Sequence, residues 1–303
     1  MRSDTSRFLW HVVLCFLLVY AASCGTARSI YKKVSPGGTD GLKKKVMVLP
    51  FIDQSGADGD RATQMTDRFV KLLEKDEHLL VRKAEIPVSG ADIRSPEFGI
   101  VIDPDIAKMA EELGMNVLIS GSVNPVEVRF VKKGIWPFRK QKRQAEISVL
   151  INAVDIINGT LFLTNLENKT ITIQEPKDVF VDETMNEEID DALLDKILDR
   201  LLQRHASAVI GELEEHPWSG RLISVNGKSL FLSVGSDVGV IKGRIFEVYG
   251  KGEAIHSVSG RPLHLLGPKI GEVKIFQVME TYSSATPLTE GLYEAGQIVR
   301  VKN

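Results

Sequence analysis

Helical periodicity stops at His216, and this break constrains the fold of the 303-residue chain more than any other feature. Ahead of it, apolar runs alternate with amphipathic stretches. Val46-Met47-Val48-Leu49-Pro50-Phe51 is an apolar run that includes a proline near its end, and it predicts a buried strand beginning at Lys45. Asp60 can cap a helix with Ala62, Met65, Phe69 and Leu73 on one face. Residues 77–82 predict a second strand. Asp103-Pro104 opens another helix in the favoured order of cap then proline, with Ile106, Met109 and Leu113 as its buried stripe and Gly114 closing it. A strand over 116–123 follows, then two longer ones over 145–157 and 160–173, joined by the two-residue hairpin signal Asn158-Gly159. A long helix from about Glu183 to Leu213 carries Leu193/Leu194, Ile197/Leu198 and Leu201/Leu202, an apolar face broad enough to cover a sheet. Past Pro217 and Gly220 the chain turns to short alternating runs. Asn226-Gly227 turns a hairpin between 222–224 and 230–234, and strands are expected over 245–249, 270–278, 282–287 and 298–301. Residues 250–269 read as an exposed loop or hairpin. Such spacing with glycine-rich turns predicts a small barrel. The expected class is α+β: a mixed sheet with packed helices over 45–215, then an all-β barrel over 216–303.

The first 23 residues have a different logic. A short basic start (Arg2, Arg7) precedes thirteen mostly apolar residues, Phe8 to Tyr20, and then Ala21-Ala22-Ser23-Cys24. That is the layout of a secretory signal. Thirteen helical residues span about 20 Å against about 30 Å of bilayer hydrocarbon, which disfavours a permanent span. The segment resembles a bacterial lipoprotein signal, with cleavage before a lipid-modified Cys24. Ala21-x-Ser23 also suits ordinary signal peptidase, which would leave Cys24 merely as the first mature residue. Cysteine arithmetic favours lipidation. Of two cysteines, Cys15 lies in the removed part, so the mature chain would otherwise expose one thiol in an oxidising compartment. Several acyl chains, at about 0.8 kcal/mol per methylene, make such an anchor effectively permanent. Gly25 stands where an aspartate would, in enterobacterial lipoproteins, favour the inner membrane, so the resemblance implies the periplasmic face of the outer membrane. Residues 24–44, with Ser35-Pro36-Gly37-Gly38, read as a lipidated tether. Formal charge is −2, and loss of Arg2, Asp4 and Arg7 leaves the mature chain near −3, which gives no global pull toward nucleic acid.

Two resemblances cover most of the remainder. Lys45 to Phe51, Leu113 to Val123 and Val154-Asp155-Ile156-Ile157-Asn158-Gly159-Thr160 carry the first. On them, residues 45–213 resemble a periplasmic module found at the N-terminus of TolB, in curli-secretion lipoproteins of the CsgG type, and in the middle domain of flagellar assembly protein T. Gly235 to Gly243, Phe246 to Tyr249, Ile270 to Ile275 and Gly296 to Arg300 resemble the C-terminal domain of flagellar assembly protein T. No counterpart of that protein's own N-terminal domain is visible; an anchor and tether stand in its place. The resemblance implies flagellar basal-body partners, such as the ring around the rod bushing, or another envelope assembly. It also allows a homo-oligomeric ring.

Signals for chemistry are weak. Gly227-Lys228-Ser229 looks like the end of a phosphate loop, but Leu222 stands where that loop needs glycine. Neither a nucleophile elbow nor a dinucleotide fingerprint occurs. His78, His205, His216, His256 and His264 are scattered, and Asp53, Asp58 and Asp60 lack calcium-loop spacing. No catalytic residue, metal ligand or cofactor is expected, and a periplasmic hydrolase is a distant third reading. The most distinctive polar feature is the stretch 131–144. Lys132, Lys133, Arg139, Lys140, Lys142 and Arg143 surround Trp136 and Phe138 there, in what reads as a loop. Such a set suits anionic headgroups or an acidic partner surface, with a solvated hairpin loop as the equal alternative. A secretion signal argues against nucleic acid. Two functional readings follow. One is a non-enzymatic structural or assembly lipoprotein. The other is a curli-type pore subunit, whose membrane strands would need about nine to eleven alternating residues with aromatic girdles. Residues 145–157 alternate only in part, and their turn is tight for a pore mouth, which favours the assembly reading.

Overall fold

The computed structural model describes residues 41–54, 60–85, 104–136, 140–173, 191–256 and 262–302. The expected leader, Cys24, the expected tether up to residue 40, Asp58, Phe138, Arg139 and the expected helical residues 183–190 lie outside the described residues.

The first part is a mixed sheet with helices on it. Its elements are β1 (Lys44–Val48), β2 (Ile52–Asp53), α1 (Asp60–Leu73), β3 (Leu79–Lys83), α2 (Pro104–Glu112), β4 (Val117–Val123), β5 (Glu127–Lys133), β6 (Lys140–Asp155), β7 (Leu161–Ile173) and α3 (Asp191–Glu215). Strands β3, β1 and β4 run parallel, and β6 joins β4 antiparallel. At 16 residues β6 is long enough to hold β4 and β5 in succession along one edge and β7 along the other. Both faces of β1 are covered, as its unbroken apolar run requires of a central parallel strand.

Alternation sorts the side chains. Val46, Val48, Val117, Ile119, Ile147, Val149, Ile151 and Ala153 form one layer beneath α1 (Met65, Phe69, Leu73) and α3 (Ile197, Leu198, Leu201, Leu202). The opposite face carries Met47, Leu49 and Leu118, covered by α2 through Ala110. Two stripe residues depart from expectation. Leu193 is exposed, so the buried stripe of α3 is narrower than its paired leucines suggest. Leu113 is also exposed. Gly114 (φ 67°) reverses the chain, and the amide of Met115 returns to the Ala110 carbonyl at 2.9 Å, so Met115 enters the core in place of Leu113. Gly121 has a packing reason: a Cβ there would lie 2.5 Å from the Phe51 ring, which crosses β4 at this point.

The second part closes on itself. Strands β8 (Ser219–Asn226), β9 (Ser229–Leu232), β10 (Ile245–His256), β11 (Pro262–Val278), β12 (Ser283–Pro287) and β13 (Ile298–Val301) form the ring β10-β11-β12-β9-β8-β13, sealed by β13 against β10. Leu222, Leu230, Leu232, Phe246, Val248, Val273, Ile275, Ala285 and Val299 point inward. Closure leaves these six strands no open edge. The α+β class therefore stands. Among the described residues no helix is long and apolar enough to cross a membrane.

Two turn-level expectations are corrected, and a third, between a loop and a hairpin, is resolved. Asn226 pairs with Ser229, so the two-residue turn is Gly227-Lys228, one position later than read, with Gly227 at φ 58°. Of the two readings of the excursion 250–269, loop or hairpin, the hairpin is observed, with β10 and β11 paired out to His256 and Pro262. The link between β6 and β7 has five residues, Ile156 to Thr160, rather than two. Asp155 closes it by accepting from the amides of Ile157 (2.7 Å) and Asn158 (3.2 Å).

Candidate functional site

The basic stretch is a hairpin, not a loop. The expected loop 131–144 is ladder at both ends, because β5 and the start of β6 pair as far as Lys133 opposite Lys140. Val128, Phe130 and Val131 supply the β-propensity that the run of lysines obscured. The register places Val128 with Ala145, Phe130 with Arg143 and Lys132 with Gln141 on one face, and Arg129 with Gln144 and Val131 with Lys142 on the other. Lys132 and Lys142 are exposed and Arg143 is half-buried. Phe130 is 61% exposed, Ile135 84% and Trp136 78%. Arg129 pairs with Glu146, which also accepts from Asn168 at 2.7 Å. Lys133 and Lys140 are fixed only as a register pair. The structure thus adds two exposed apolar residues, Phe130 and Ile135, that sequence reading passed over. The alternation Val128-x-Phe130 was the available signal.

A second polar group lies where α3 ends. Asp155 Oδ2 sits 3.2 Å from His216 Nε2, and the Phe162 ring stacks on the imidazole at 4.8 Å. Lys44 Nζ donates to the carbonyls of Leu213 and His216, satisfying acceptors that the end of α3 leaves open. Burial pushes the Lys44 ammonium down to about 8, with Asp155 and Glu214 pulling the other way. The folded value lies below the ordinary 10.5, so the native state releases this proton first. Stability should then rise as pH climbs from about 8 toward 10.5, by up to about 3 kcal/mol. Chemical denaturation at pH 7.5 and pH 10, wild type against Lys44→Met, checks this: the lysine-dependent gain should vanish in the variant.

The sheet and barrel meet beside this group. Trp218 Nε1 donates to the Lys43 carbonyl (3.1 Å), Asn116 Nδ2 to the Ser219 carbonyl (2.6 Å), and Lys45 pairs with Asp237. A cleft of about 440 Å³ runs along the junction, lined by Leu113, Ile157, Trp218, Arg221, Ile223 and Tyr282. Its arginine is spent internally: Arg221 reaches Glu111 at 2.8 Å and the Ile157 carbonyl at 3.0 Å. Among the described residues lining it there is no histidine and no cysteine.

The histidines stay apart. His205 is buried on α3 with Nε2 3.0 Å from the Val149 carbonyl, and burial lowers its pKa, so the neutral ring donates there. His78 is exposed beside Glu77, and His256 and His264 occupy the β10–β11 hairpin. Among the described residues no group of three His, Cys, Asp or Glu could hold a metal. Gly227-Lys228-Ser229 sits in a strand-to-strand turn, the wrong setting for a phosphate loop.

No family model and no curated protein matches the chain. Three solved structures illustrate its likenesses. A hypothetical protein from Chlamydia trachomatis is 12% identical over 56% of this chain and 98% of its own, with a TM-score of 0.38. The PelC dodecamer from Paraburkholderia phytofirmans is 13% identical over 57% and 90%, with a TM-score of 0.32. A lipoprotein from Neisseria meningitidis is 13% identical over 54% and 99%, with a TM-score of 0.29.

Proposed function

We propose that this chain is an exported lipoprotein, held by Cys24 to the periplasmic face of the outer membrane, that serves as a non-enzymatic assembly module. The observation that carries the reading is the β5–β6 hairpin. It presents Phe130, Ile135 and Trp136 to solvent, in a stretch whose sequence carries seven basic and two acidic residues between positions 127 and 146. Exposed aromatics amid like charge suit contact rather than chemistry. The leader ending at Cys24 supports export, and the barrel's resemblance to flagellar assembly protein T supports a place in basal-body ring assembly. Envelope proteins are therefore the partners sought.

A curli-type pore subunit is the second reading, favoured by the length of β6 and β7, at 16 and 13 residues. Against it, the apolar row of β6 is already packed beneath α3, and the opposite row mixes Glu146, Ser148 and Asn152 with Leu150 and Val154, with Asn152 and Val154 themselves buried. Lipid would meet the wrong face.

Two measurements test the proposal. A clickable fatty acid should label the wild-type chain but not Cys24→Ser. Mass spectrometry of material co-purifying with a C-terminally tagged chain should find flagellar ring or rod proteins in stoichiometric amount. A large, detergent-dependent homo-oligomer alone would favour the pore instead.

A further inference from the structure

We infer that the tip of the β5–β6 hairpin docks end-on into an anionic phospholipid surface. The inference deepens the contact role proposed above by naming what is contacted. The first ground is apolar. Ile135 and Trp136 sit at the tip, more than three-quarters exposed, with Phe130 a few residues down the arm. A tryptophan with an aliphatic neighbour where β5 ends matches the membrane interface, where an indole can rest with one side in hydrocarbon and its N–H in water.

The second ground is charge. Residues 127–146 carry Arg129, Lys132, Lys133, Arg139, Lys140, Lys142 and Arg143 against Glu127 and Glu146, a net of +5. The whole chain sums to −2, so everything outside this hairpin sums to −7. An anionic plane therefore repels the body and draws the hairpin, which orients the approach. Each basic residue near such a plane adds attraction that is lost as salt screens it.

The third ground separates a lipid plane from an acidic protein. Basic positions occur on both faces of the ladder, with Lys132 and Arg143 on one and Arg129 and Lys142 on the other. A protein partner would cover one face. A bilayer entered end-on meets both at once. Reach is compatible with the proposed anchor. β1 begins beside the Asp155 end of β6, about 50 Å from Lys140 at a strand rise of about 3.3 Å. The twenty residues from Cys24 to Lys44 have a contour length of up to about 70 Å.

The test uses the full chain on vesicles carrying brominated acyl chains. One set is phosphatidylethanolamine with phosphatidylglycerol, the other phosphatidylcholine alone. The Trp136 signal is taken as the difference between wild type and Trp136→Phe, which also removes the contributions of Trp10 and Trp218. Quenching of Trp136 should be several-fold stronger on the anionic vesicles. It should fall in about 0.5 M salt, where charge is screened within about 4 Å. It should fall likewise in a Lys132→Gln/Lys142→Gln variant whose melting temperature is unchanged. Equal quenching on both membranes, or none on either, would overturn the inference. So would an unquenched Trp136 together with an acidic protein crosslinked to the tip. Cys24→Ser run in parallel keeps the questions apart: if acylation fails but Trp136 is still quenched, the lipoprotein reading falls and this one stands.

Discussion

Gly235→Ala is expected to destabilise the protein by about 3 kcal/mol, the upper part of the range for overpacking. The reason is space rather than backbone freedom, since Gly235 has φ −131° and ψ −167°, which any residue adopts. A Cβ there would lie 2.0 Å from the Glu280 carbonyl oxygen and 2.6 Å from the Thr281 nitrogen. Both are main-chain atoms and cannot rotate aside. They are also pinned, because Ser236 and Asp237 donate their amides to the carbonyls of Met279 and Glu280 at 2.9 and 3.0 Å. Relief would require giving up these bonds, which join the short turn after β9 to the link between β11 and β12. For a protein of this size the loss corresponds to a fall in Tm of roughly 6–12 °C. Calorimetry would read it, with Gly211→Ala as the opposite control. Gly211 lies in α3 with open space around its missing side chain, so alanine there should stabilise by up to about 1 kcal/mol. A Gly235→Ala protein that melts like wild type would contradict the packing described.

Asp155→Ala should cost a similar amount, about 3 kcal/mol, through loss of hydrogen bonds and of a buried charge. Asp155 is 3% exposed, and its carboxylate faces four polar groups on three neighbours. It accepts from the amides of Ile157 and Asn158 and from Asn158 Nδ2 (3.0 Å), and it faces His216 Nε2. Removing it opens the β6–β7 turn and deprives the buried Lys44 ammonium of an opposing charge. The lysine should then release its proton at still lower pH than about 8. Asp155→Asn separates the two effects. An amide oxygen can keep the turn amides, so about half the loss should return, while the Lys44 shift should persist. Urea denaturation of the three proteins between pH 7 and 10 would distinguish them. Equal losses in both variants would mean that charge, not turn closure, dominates.

Legibility varied with the range of the interaction. α1 begins at Asp60, and β13 spans Ile298–Val301, as their spacing alone indicates, because helix faces and strand alternation are written in neighbours a few residues apart. β5 was hidden. Its own residues are basic and bulky, and what makes it a strand is a partner, the first seven residues of β6, across a connection whose ends are Gly134 and Arg139. The Asn158-Gly159 signal named the right place but the wrong turn, because Asp155 offers a better acceptor to two amides than a tight two-residue reversal would. Leu113 looked like core by spacing, yet the reversal at Gly114 gave that position to Met115.

The same division holds at the candidate surface. The cluster of lysines and arginines around Trp136, and the residue order that reads as a leader ending at Cys24, are matters of composition and order, legible in the sequence unaided. That Phe130 and Ile135 stand exposed with Trp136, and that basic positions alternate onto both faces of one ladder, depended on strand register. Register is a property of two strands and never of one. The Lys44, Asp155 and His216 group was decided entirely by tertiary structure. It brings together residues separated by more than sixty positions, and local pattern carries no information across such distances.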